Sequence, residues 1–299
     1  LANASYDNGS FSVLSQDNRP TDIHLSPDGT KMYIVGQTSE TTYQYTLSSA
    51  FDLSSATYDN VSFDSSAQDI NPQGVLLTPD GSRMFVFFFN NACQYSLSSA
   101  FDISTASYDG VSFDYSPQDS FARAASFNND GTKMYVVGSS GTVFQYSLAT
   151  AYDLATASYD SVSFSVSAQS TTPYGLTFSA DGSKMFIGGY GSSVVFQYSL
   201  SPAFDLSSAT YDNVSLNVSA QDSQVQGVVF NGNGTKMYVA GSGSDFVYQY
   251  TTGSVTPATK ANLSFTDTIE WESGSAPTFS ANGEKDWFYF EKADDTAWQ

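Results

Sequence analysis

The sequence is poor in the residue types from which many catalytic and metal sites are built. Among its 299 residues there is one cysteine, Cys93, and one histidine, His24. A disulfide within the chain is therefore excluded, and a Ser-His-Asp triad or a multi-histidine metal site would depend on His24. Neither a Gly-rich phosphate loop nor a calcium-loop spacing is present. We therefore predict no catalytic residues, no metal and no cofactor.

Positive charge and long hydrophobic runs are scarce as well. The sequence has 10 Lys and Arg residues against 30 Asp and Glu residues, for a formal net charge of −20. Such a balance repels nucleic acid and anionic lipid, and no run is long enough to span a membrane. We predict no nucleic-acid partner and no membrane insertion. Solubility is the simplest explanation of the excess acid.

What the chain has instead is a repeat of 50 to 52 residues. An Asp-Gly or Asn-Gly pair marks each of five copies: Asp28-Gly29, Asp80-Gly81, Asp130-Gly131, Asp181-Gly182 and Asn233-Gly234. Each pair lies between two apolar runs. Because such pairs supply the positive φ angles that tight hairpins need, each one predicts a turn between two strands, a and b.

Each repeat contains two further strands. Strand b carries a Met-aromatic pair, as in Met32-Tyr33, so both of its faces should be covered. Strand c carries Gln-Tyr, as in Gln44-Tyr45, and strand d has the form YDNVSF, as at residues 58–63. Four short strands without helical periodicity are typical of a β-propeller blade. A β-solenoid is the alternative, although its coils would be shorter and more uniform.

The two ends of the repeat region predict how a ring closes. The fifth repeat has no strand d, while the N-terminal stretch LANASYDNGSF aligns with LSSATYDNVSF at residues 53–63. We therefore predict an all-β fold in which residues 1–252 form a five-bladed β-propeller of four-stranded blades. The N-terminal strand would close the last blade and remove the free sheet edges. The alternative is a piece cut from a longer array.

Beyond the repeats the composition changes. Residues 253–262 are predicted to be a linker, and residues 263–299 hold all three tryptophans and four of the five glutamates. Two or three strands are expected there, with a turn at Asn282-Gly283. About 40 residues of this kind are marginal as a free unit, so we predict a small C-terminal β module that packs on the propeller, pairs with a copy of itself or continues beyond Gln299.

Several repeated residues have structural explanations. A cation follows the turn in every copy: Lys31, Arg83, Lys133, Lys184 and Lys236. We expect these cations to form a ring and to pair with neighbouring turn aspartates. The turn aspartates should also hydrogen-bond to their own backbone. Cys93 replaces an aromatic residue of the other copies and is predicted to be a buried hydrophobic residue.

Departures from the repeat are better candidates for function. At the start of strand a the copies differ, and these residues should converge at one mouth of a central channel: Thr21, Asp22, Gln73, Arg123, Tyr174 and Gln226. Gln and Arg could hydrogen-bond a sugar or a carboxylate while the ring of Tyr174 stacks on it. A water-filled channel lining is the alternative. His24 lies on the same strand and could face the channel.

A second departure is an aromatic run in the second copy, Phe87-Phe88-Phe89, where other copies have Val-Gly or Gly-Gly. An exposed aromatic run would suggest contact with a partner or with another subunit. Core filling is the alternative.

Two segments resemble known protein families. The repeat, with phrases such as SPDGTKMYIVG and AFDISTASYDG, resembles propeller repeats of phage and environmental proteins and, more distantly, YVTN-type lactonase-like propellers. Residues 263–290, which include IEWESGSAPTFSANGEKDWFYF, resemble a short module near the C-terminus of phage tail-fibre and other virion structural proteins. In those proteins the module continues further, so the present chain is expected to be truncated. The two resemblances imply an attachment component rather than a reaction.

We therefore predict a non-enzymatic attachment or structural protein of a phage tail or an extracellular assembly. Its partners would be other virion or fibre subunits and a host surface glycan, and it would act as a homo-oligomer whose many copies give avidity. The alternatives are a secreted propeller hydrolase of lactonase or glycosidase type, and a purely structural filament subunit.

Overall fold

The computed structural model describes residues 1–252, 292–294 and 297–298. Residues 1–252 contain five four-stranded antiparallel sheets arranged around a common axis. The predicted all-β, five-bladed β-propeller is confirmed. Blade 5 takes its outer strand from the N-terminus and its other three strands from the end of the repeat region.

The strands follow the repeat closely. The chain begins with β1 (Ser5–Ser12). Blade 1 consists of β2 (Pro20–Leu25), β3 (Lys31–Gly36), β4 (Thr41–Leu47) and β5 (Ala56–Asp64). Blade 2 consists of β6 (Pro72–Leu77), β7 (Arg83–Phe88), β8 (Asn91–Leu97) and β9 (Ala106–Asp114). Blade 3 consists of β10 (Ala122–Phe127), β11 (Lys133–Gly138), β12 (Thr142–Leu148) and β13 (Ala157–Ser165).

Blade 4 consists of β14 (Pro173–Phe178), β15 (Lys184–Gly189), β16 (Val194–Ser199) and β17 (Thr210–Asn217). Blade 5 consists of β18 (Val225–Phe230), β19 (Lys236–Gly241), β20 (Phe246–Thr251) and β1. Short 3-10 helices precede strand d in the first four blades: Leu53–Ser55, Ile103–Thr105, Leu154–Thr156 and Leu206–Ser208. Two further strands, β21 (Lys292–Asp294) and β22 (Ala297–Trp298), pair with each other.

Closure of the ring follows the predicted alignment. Strand β1 pairs antiparallel with β20, and Tyr6 lies opposite Tyr250. The inner strands β2, β6, β10, β14 and β18 lie side by side in that order, and β18 returns to β2. The ring is therefore closed, which excludes the solenoid and the open row of sheets for residues 1–252.

The turn between strands a and b is held by its own side chains. Asp28 accepts hydrogen bonds from the Ser26 hydroxyl (2.6 Å) and from the backbone N–H of Thr30 (3.0 Å). Gly29 has φ +70°, and the ring of Phe51 lies where a Cβ would be. Glycine is required there both by the backbone and by the packed ring. The predicted backbone hydrogen bonds of the turn aspartates are confirmed.

Neighbouring blades are latched by the glutamine of strand c. Gln44 donates through Nε2 to Asp59 of its own blade (2.9 Å) and accepts through Oε1 from the N–H of Ile103 in the next blade (3.0 Å). The same pattern recurs at Gln94, Gln145 and Gln249. In blade 4 the acceptor Gln197 instead receives a hydrogen bond from the amino group of Leu1 (2.9 Å). These latches satisfy buried backbone donors between sheets.

The repeated cations form the expected structural set, but the predicted partner was wrong. They pair with the aspartate of strand d in the same blade, as in Lys31–Asp59 (2.7 Å) and Lys184–Asp212 (2.9 Å). The turn aspartate is not available because its oxygens are committed to the hydroxyls and N–H groups of the turn. Such half-exposed pairs contribute about 0.2–1 kcal/mol each.

Arg83 is the exception, and the neighbouring residue explains it. In three blades a strand-b tyrosine donates its hydroxyl to a loop carbonyl of the next blade, as Tyr33 does to Phe101 (2.7 Å). Blade 2 has Phe85 at that position and lacks the hydroxyl. There the Arg83 guanidinium reaches the equivalent carbonyl, that of Tyr152, at 2.8 Å.

Strand b is covered on both faces, as the Met-aromatic pairs predicted. All five methionines are fully buried. Cys93 is 3% exposed, and burial raises the pKa of its thiol to about 11, so the prediction of a buried hydrophobic residue is confirmed.

The chain divides into two compact units, Leu1–Ser254 and Val255–Gln299. The predicted linker 253–262 and most of the predicted module 263–299 lie outside the described residues. In the parts of the chain that the structure covers, no helix is long and apolar enough to cross a membrane.

Candidate functional site

The propeller has two faces with different loops. The loops from strand d to strand a, together with the b–c turns, form what we call the mouth face. The a–b turns and the c–d loops form the opposite side, which we call the turn face. The predicted site residues occupy the first positions of the inner strands and so lie at the mouth face: Thr21, Asp22, Gln73, Arg123, Tyr174 and Gln226.

Two of these residues, Arg123 and Tyr174, belong to a stack of side chains that crosses blades 2, 3 and 4. The guanidinium carbon of Arg123 lies 4.5 Å from the ring centroid of Phe89 and 4.4 Å from that of Tyr174. The ring of Tyr174 in turn stacks on Tyr190, with centroids 4.5 Å apart and planes at 27°. We call Phe89, Arg123, Tyr174 and Tyr190 the aromatic column. Each cation–π contact of this kind is worth about 0.5–2 kcal/mol.

Arg123 is held at one edge and has no acidic partner. Its Nη1 donates to Oε1 of Gln73 at 2.8 Å, while its buried Nε has no acceptor. Among the described residues Arg123 forms no salt bridge with a carboxylate. Desolvation accordingly lowers the pKa of Arg123 from its ordinary value.

The other polar residues of the predicted site are used by the wall of the channel. Gln73 is 1% exposed, and its Nε2 donates to the Pro72 carbonyl (2.9 Å). The hydroxyl of Thr21 donates to the same carbonyl (3.2 Å), and Nε2 of Gln226 donates to the hydroxyl of Ser242 (2.7 Å). These residues shape the mouth and position Arg123.

Asp22 lies between inner strands. Its Oδ2 accepts from the N–H of Val75 (3.1 Å), and a Cβ added to Gly227 would lie 2.6 Å from its Oδ1. Blades 2 and 5 have glycine where blade 1 has Asp22, and that space admits the carboxyl group. Desolvation outweighs the backbone hydrogen bonds and raises the pKa of Asp22 to about 7. With 9% of its surface exposed, Asp22 is not offered to a ligand.

The predicted partner contact by Phe87 and Phe88 was wrong. Phe87 is 2% exposed and Phe88 is 0% exposed, because neighbouring blades cover both faces of strand β7. Phe88 stands where the other copies have glycine, and its ring fills the core between blades 1 and 2. Phe89 follows the end of the strand, and its half-buried ring belongs to the aromatic column.

Tyr190 and Phe121 were not among the predicted site residues. Phe121 is 51% exposed, and its ring lies 5.5 Å from that of Phe89. Both depart from the repeat: the counterparts of Tyr190 are Gln37, Phe89, Ser139 and Ser242, and those of Phe121 are Arg19, Asn71, Thr172 and Gln224. Comparing the b–c turns and the d–a loops between copies would have found them.

His24 lies at the other end of the channel. One residue from each inner strand lines a cavity of about 210 Å³ near the turn face: His24, Leu76, Ser126, Thr177 and Val229. Nε2 of His24 accepts from the N–H of Leu77 (3.3 Å), and desolvation lowers the pKa of His24 to about 4. At neutral pH the ring is therefore uncharged, with its acceptor nitrogen in use. Within the described residues no group of three or more His, Cys, Asp or Glu side chains is placed to hold a metal ion.

No family model and no curated protein matches the sequence. Solved structures show distant likeness. A protein of unknown function from Desulfotomaculum acetoxidans has a TM-score of 0.46 and 15% identity, over 74% of this chain and 62% of that one. A luciferin-regenerating enzyme has a TM-score of 0.49 and 13% identity, over 81% and 94%. A candidate 6-phosphogluconolactonase from Bacteroides uniformis has a TM-score of 0.49 and 12% identity, over 78% and 66%. Likeness at these scores carries no argument about activity, and the assignment that stands is the fold, a five-bladed β-propeller.

Proposed function

We propose that this propeller is a binding module that recognises a carbohydrate through its mouth face, and that it is not an enzyme. The observation that carries the proposal is the aromatic column of Phe89, Arg123, Tyr174 and Tyr190 with Phe121 beside it. Aromatic faces with a few fixed polar groups are typical of ligand sites. At each of their three repeat positions at least three of the five copies have a non-aromatic residue, so the blade itself does not require an aromatic side chain there.

The distribution of exposed apolar side chains also supports the mouth face as the binding surface. Among the described residues, four large hydrophobic side chains are exposed, and three of them lie in successive d–a loops at the mouth face: Leu14 (56%), Ile70 (60%) and Phe121 (51%). A contact surface that extends across several blades suits a rigid disc that docks on a surface.

The wider role that we propose is attachment, as part of an extracellular or phage tail assembly. Many copies on one particle would turn weak contacts into high avidity. The partners would be other subunits of the assembly and a host surface glycan. Support for a virion comes from the sequence resemblance of residues 263–290, which lie outside the described residues.

A glycan array with matched variants tests the proposal. We expect the unmodified chain to bind one or more glycans and Tyr190→Ser to lose most of that binding, because Ser is the residue at this position in blades 3 and 5. Gln37→Ser changes the same position in blade 1, away from the column, and should bind normally. Absence of glycan binding by the unmodified chain, or equal loss in both variants, would contradict the proposal.

The competing hypothesis of a hydrolase rests on the lactonase-like resemblance of the repeat. Asp22 and His24 are ionisable residues of the inner strand β2, and each accepts a hydrogen bond from a backbone N–H of β6. A general base needs a free acceptor and a pKa near the working pH, and His24 offers neither. Turnover of a lactone or a glycoside that disappears in His24→Ala would support the hydrolase instead.

A further inference from the structure

The two cations of the propeller that stand outside the repeated ring lie at one face. Residues 1–252 contain seven Lys and Arg residues. Four of the ring cations pair with aspartate at 2.7 to 3.9 Å, and Arg83 donates to a carbonyl. The remaining two, Arg19 and Arg123, both belong to the mouth face, and neither forms a salt bridge among the described residues. In a chain with a net charge of −20, such cations are the exception.

The structure keeps Arg123 away from nearby acid. Asp119 is close enough to influence its pKa, but the oxygens of Asp119 accept from the N–H groups of Phe121 (2.9 Å) and Ser140 (3.0 Å). The rings of Phe89 and Tyr174 both pack against the guanidinium, with centroids 4.5 and 4.4 Å from its central carbon. The group therefore cannot fold back onto Asp119 and remains fixed in the column.

Most N–H groups of the Arg123 guanidinium are not paired with a protein acceptor among the described residues. Of its five N–H groups one is used by Gln73, and the described residues supply no acceptor for the others. A planar guanidinium that packs against two rings and has unpaired N–H groups matches the two oxygens of a carboxylate. A neutral sugar hydroxyl would leave the desolvated charge without compensation.

We propose that Arg123 binds the carboxylate of an acidic sugar, such as a uronic acid, while the sugar ring packs on the exposed aromatic side chains beside it. This inference rests on the proposed carbohydrate function and names its ligand class. A carboxylate sugar suits the site better than a dense array of phosphates, because the net negative charge of the protein repels such an array. Arg19 adds positive potential at the same face.

Paired ligands test the inference: trigalacturonic acid and its methyl ester, titrated by calorimetry. We expect the acid to bind the unmodified protein at least tenfold more tightly than the ester. Arg123→Gln, which keeps a hydrogen-bonding group near Gln73, should abolish that difference while weak binding of both ligands remains. Arg123→Lys keeps the charge without the planar fork and should retain only part of the preference. Arg83→Lys restores the residue of the other four blades and should leave both affinities unchanged.

The possible results distinguish failure of the carboxylate-binding role of Arg123 from failure of the proposed carbohydrate-binding function. If the protein binds neither of the two ligands and no other glycan, the proposed function is overturned. Equal binding of acid and ester, or a preference that survives Arg123→Gln, would overturn only the role of Arg123. Tighter binding of a Glu-rich peptide than of the trisaccharide would assign the carboxylate site to a protein partner and overturn the sugar. Thermal unfolding of each variant confirms its fold, and Arg123→Lys decides the matter if Arg123→Gln does not fold.

Discussion

The two faces of the propeller are built from the same five repeats but vary to very different extents. At the turn face four copies have the same Asp-Gly turn and a Phe or Tyr in the c–d loop, and each aromatic ring lies on its turn glycine. At the mouth face the corresponding five positions are Thr21, Gln73, Arg123, Tyr174 and Gln226. The packing of a ring on a glycine recurs in four blades, so the residues of the turn face are fixed by the structure of the blade. No such repeated packing fixes the residues of the mouth face, and its differences are available for binding.

The largest effect is expected from a turn glycine. In Gly182→Ala the new methyl group would overlap the ring of Phe204, at a φ of +69°. We expect a loss of about 3–5 kcal/mol in the free energy of unfolding, measured by urea denaturation. Gly234→Ala is the matched control, because Gly234 has φ +68° and open space around it in blade 5. That variant should lose about 1 kcal/mol. Equal losses would show that the loop aromatic does not depend on the glycine.

The buried carboxyl group of Asp22 should make stability depend on pH. Its pKa is raised to about 7, so the folded protein loses stability as the pH rises from about 4 through 7. We expect Asp22→Asn to remove this loss. The free energy of unfolding of the variant, relative to that of the unmodified protein, should be about 2–4 kcal/mol more favourable at pH 8 than at pH 4, by the linkage of about 1.4 kcal/mol per pKa unit.

Asp28 is the control for Asp22, because its pKa is shifted in the opposite direction. Hydrogen bonds from Ser26 and Thr30 hold the pKa of Asp28 below its ordinary value, so its stabilisation is present above the unfolded pKa and is lost in acid. Asp28→Asn, which matches Asn233 of blade 5, should therefore flatten the stability profile below pH 4. Parallel pH profiles for the two variants, recorded as melting temperatures, would contradict both assignments.

Removal of one glutamine latch between blades should lower the free energy of unfolding by a smaller amount. In Gln145→Ala the buried N–H of Leu206 loses its acceptor, and the carboxylate of Asp160 loses one donor while it keeps Lys133. We expect a loss of about 2–3 kcal/mol in urea denaturation. Gln197→Ala is the comparison, because Oε1 of Gln197 accepts from the half-buried amino group of Leu1, which water can reach. A larger loss for Gln197 than for Gln145 would be evidence against the latch as described.

The smallest effect is expected at the mouth face. Phe121 is 51% exposed, and three other copies have Asn, Thr or Gln in its place. Phe121→Thr should change the free energy of unfolding by no more than about 0.5 kcal/mol while weakening glycan binding. A destabilisation as large as that of Gly182→Ala would mean that the two faces do not differ in the way we describe.

Repetition explains why so much of the fold was predictable. Five copies in one chain reveal the period, the turns and the strand pattern, and the alignment of Leu1 with Leu53 predicted the closing strand. The partner of Lys31 was not predictable in the same way. Asp59 lies 28 residues further along the chain and reaches Lys31 only when strands b, c and d pair in one sheet.

The candidate site was predictable only in part. Departures from the repeat correctly selected Gln73, Arg123 and Tyr174 as residues that meet. They did not show that Oε1 of Gln73 accepts a hydrogen bond from Arg123. Nor did they show that Phe87 and Phe88 lie in the core between blades while Phe89 belongs to the aromatic column. The direction of an aromatic ring depends on which faces of its strand the neighbouring blades cover.

By itself the sequence determined the number of blades, their strand order and the closure, because these follow from local turn chemistry and a period that is written five times. Tertiary structure alone decided which side chains of different blades touch. Stacking of Phe89, Arg123, Tyr174 and Tyr190 joins residues up to about a hundred positions apart, and it exists only because blades 2, 3 and 4 pack side by side with their b–c turns and the starts of their inner strands at the same face.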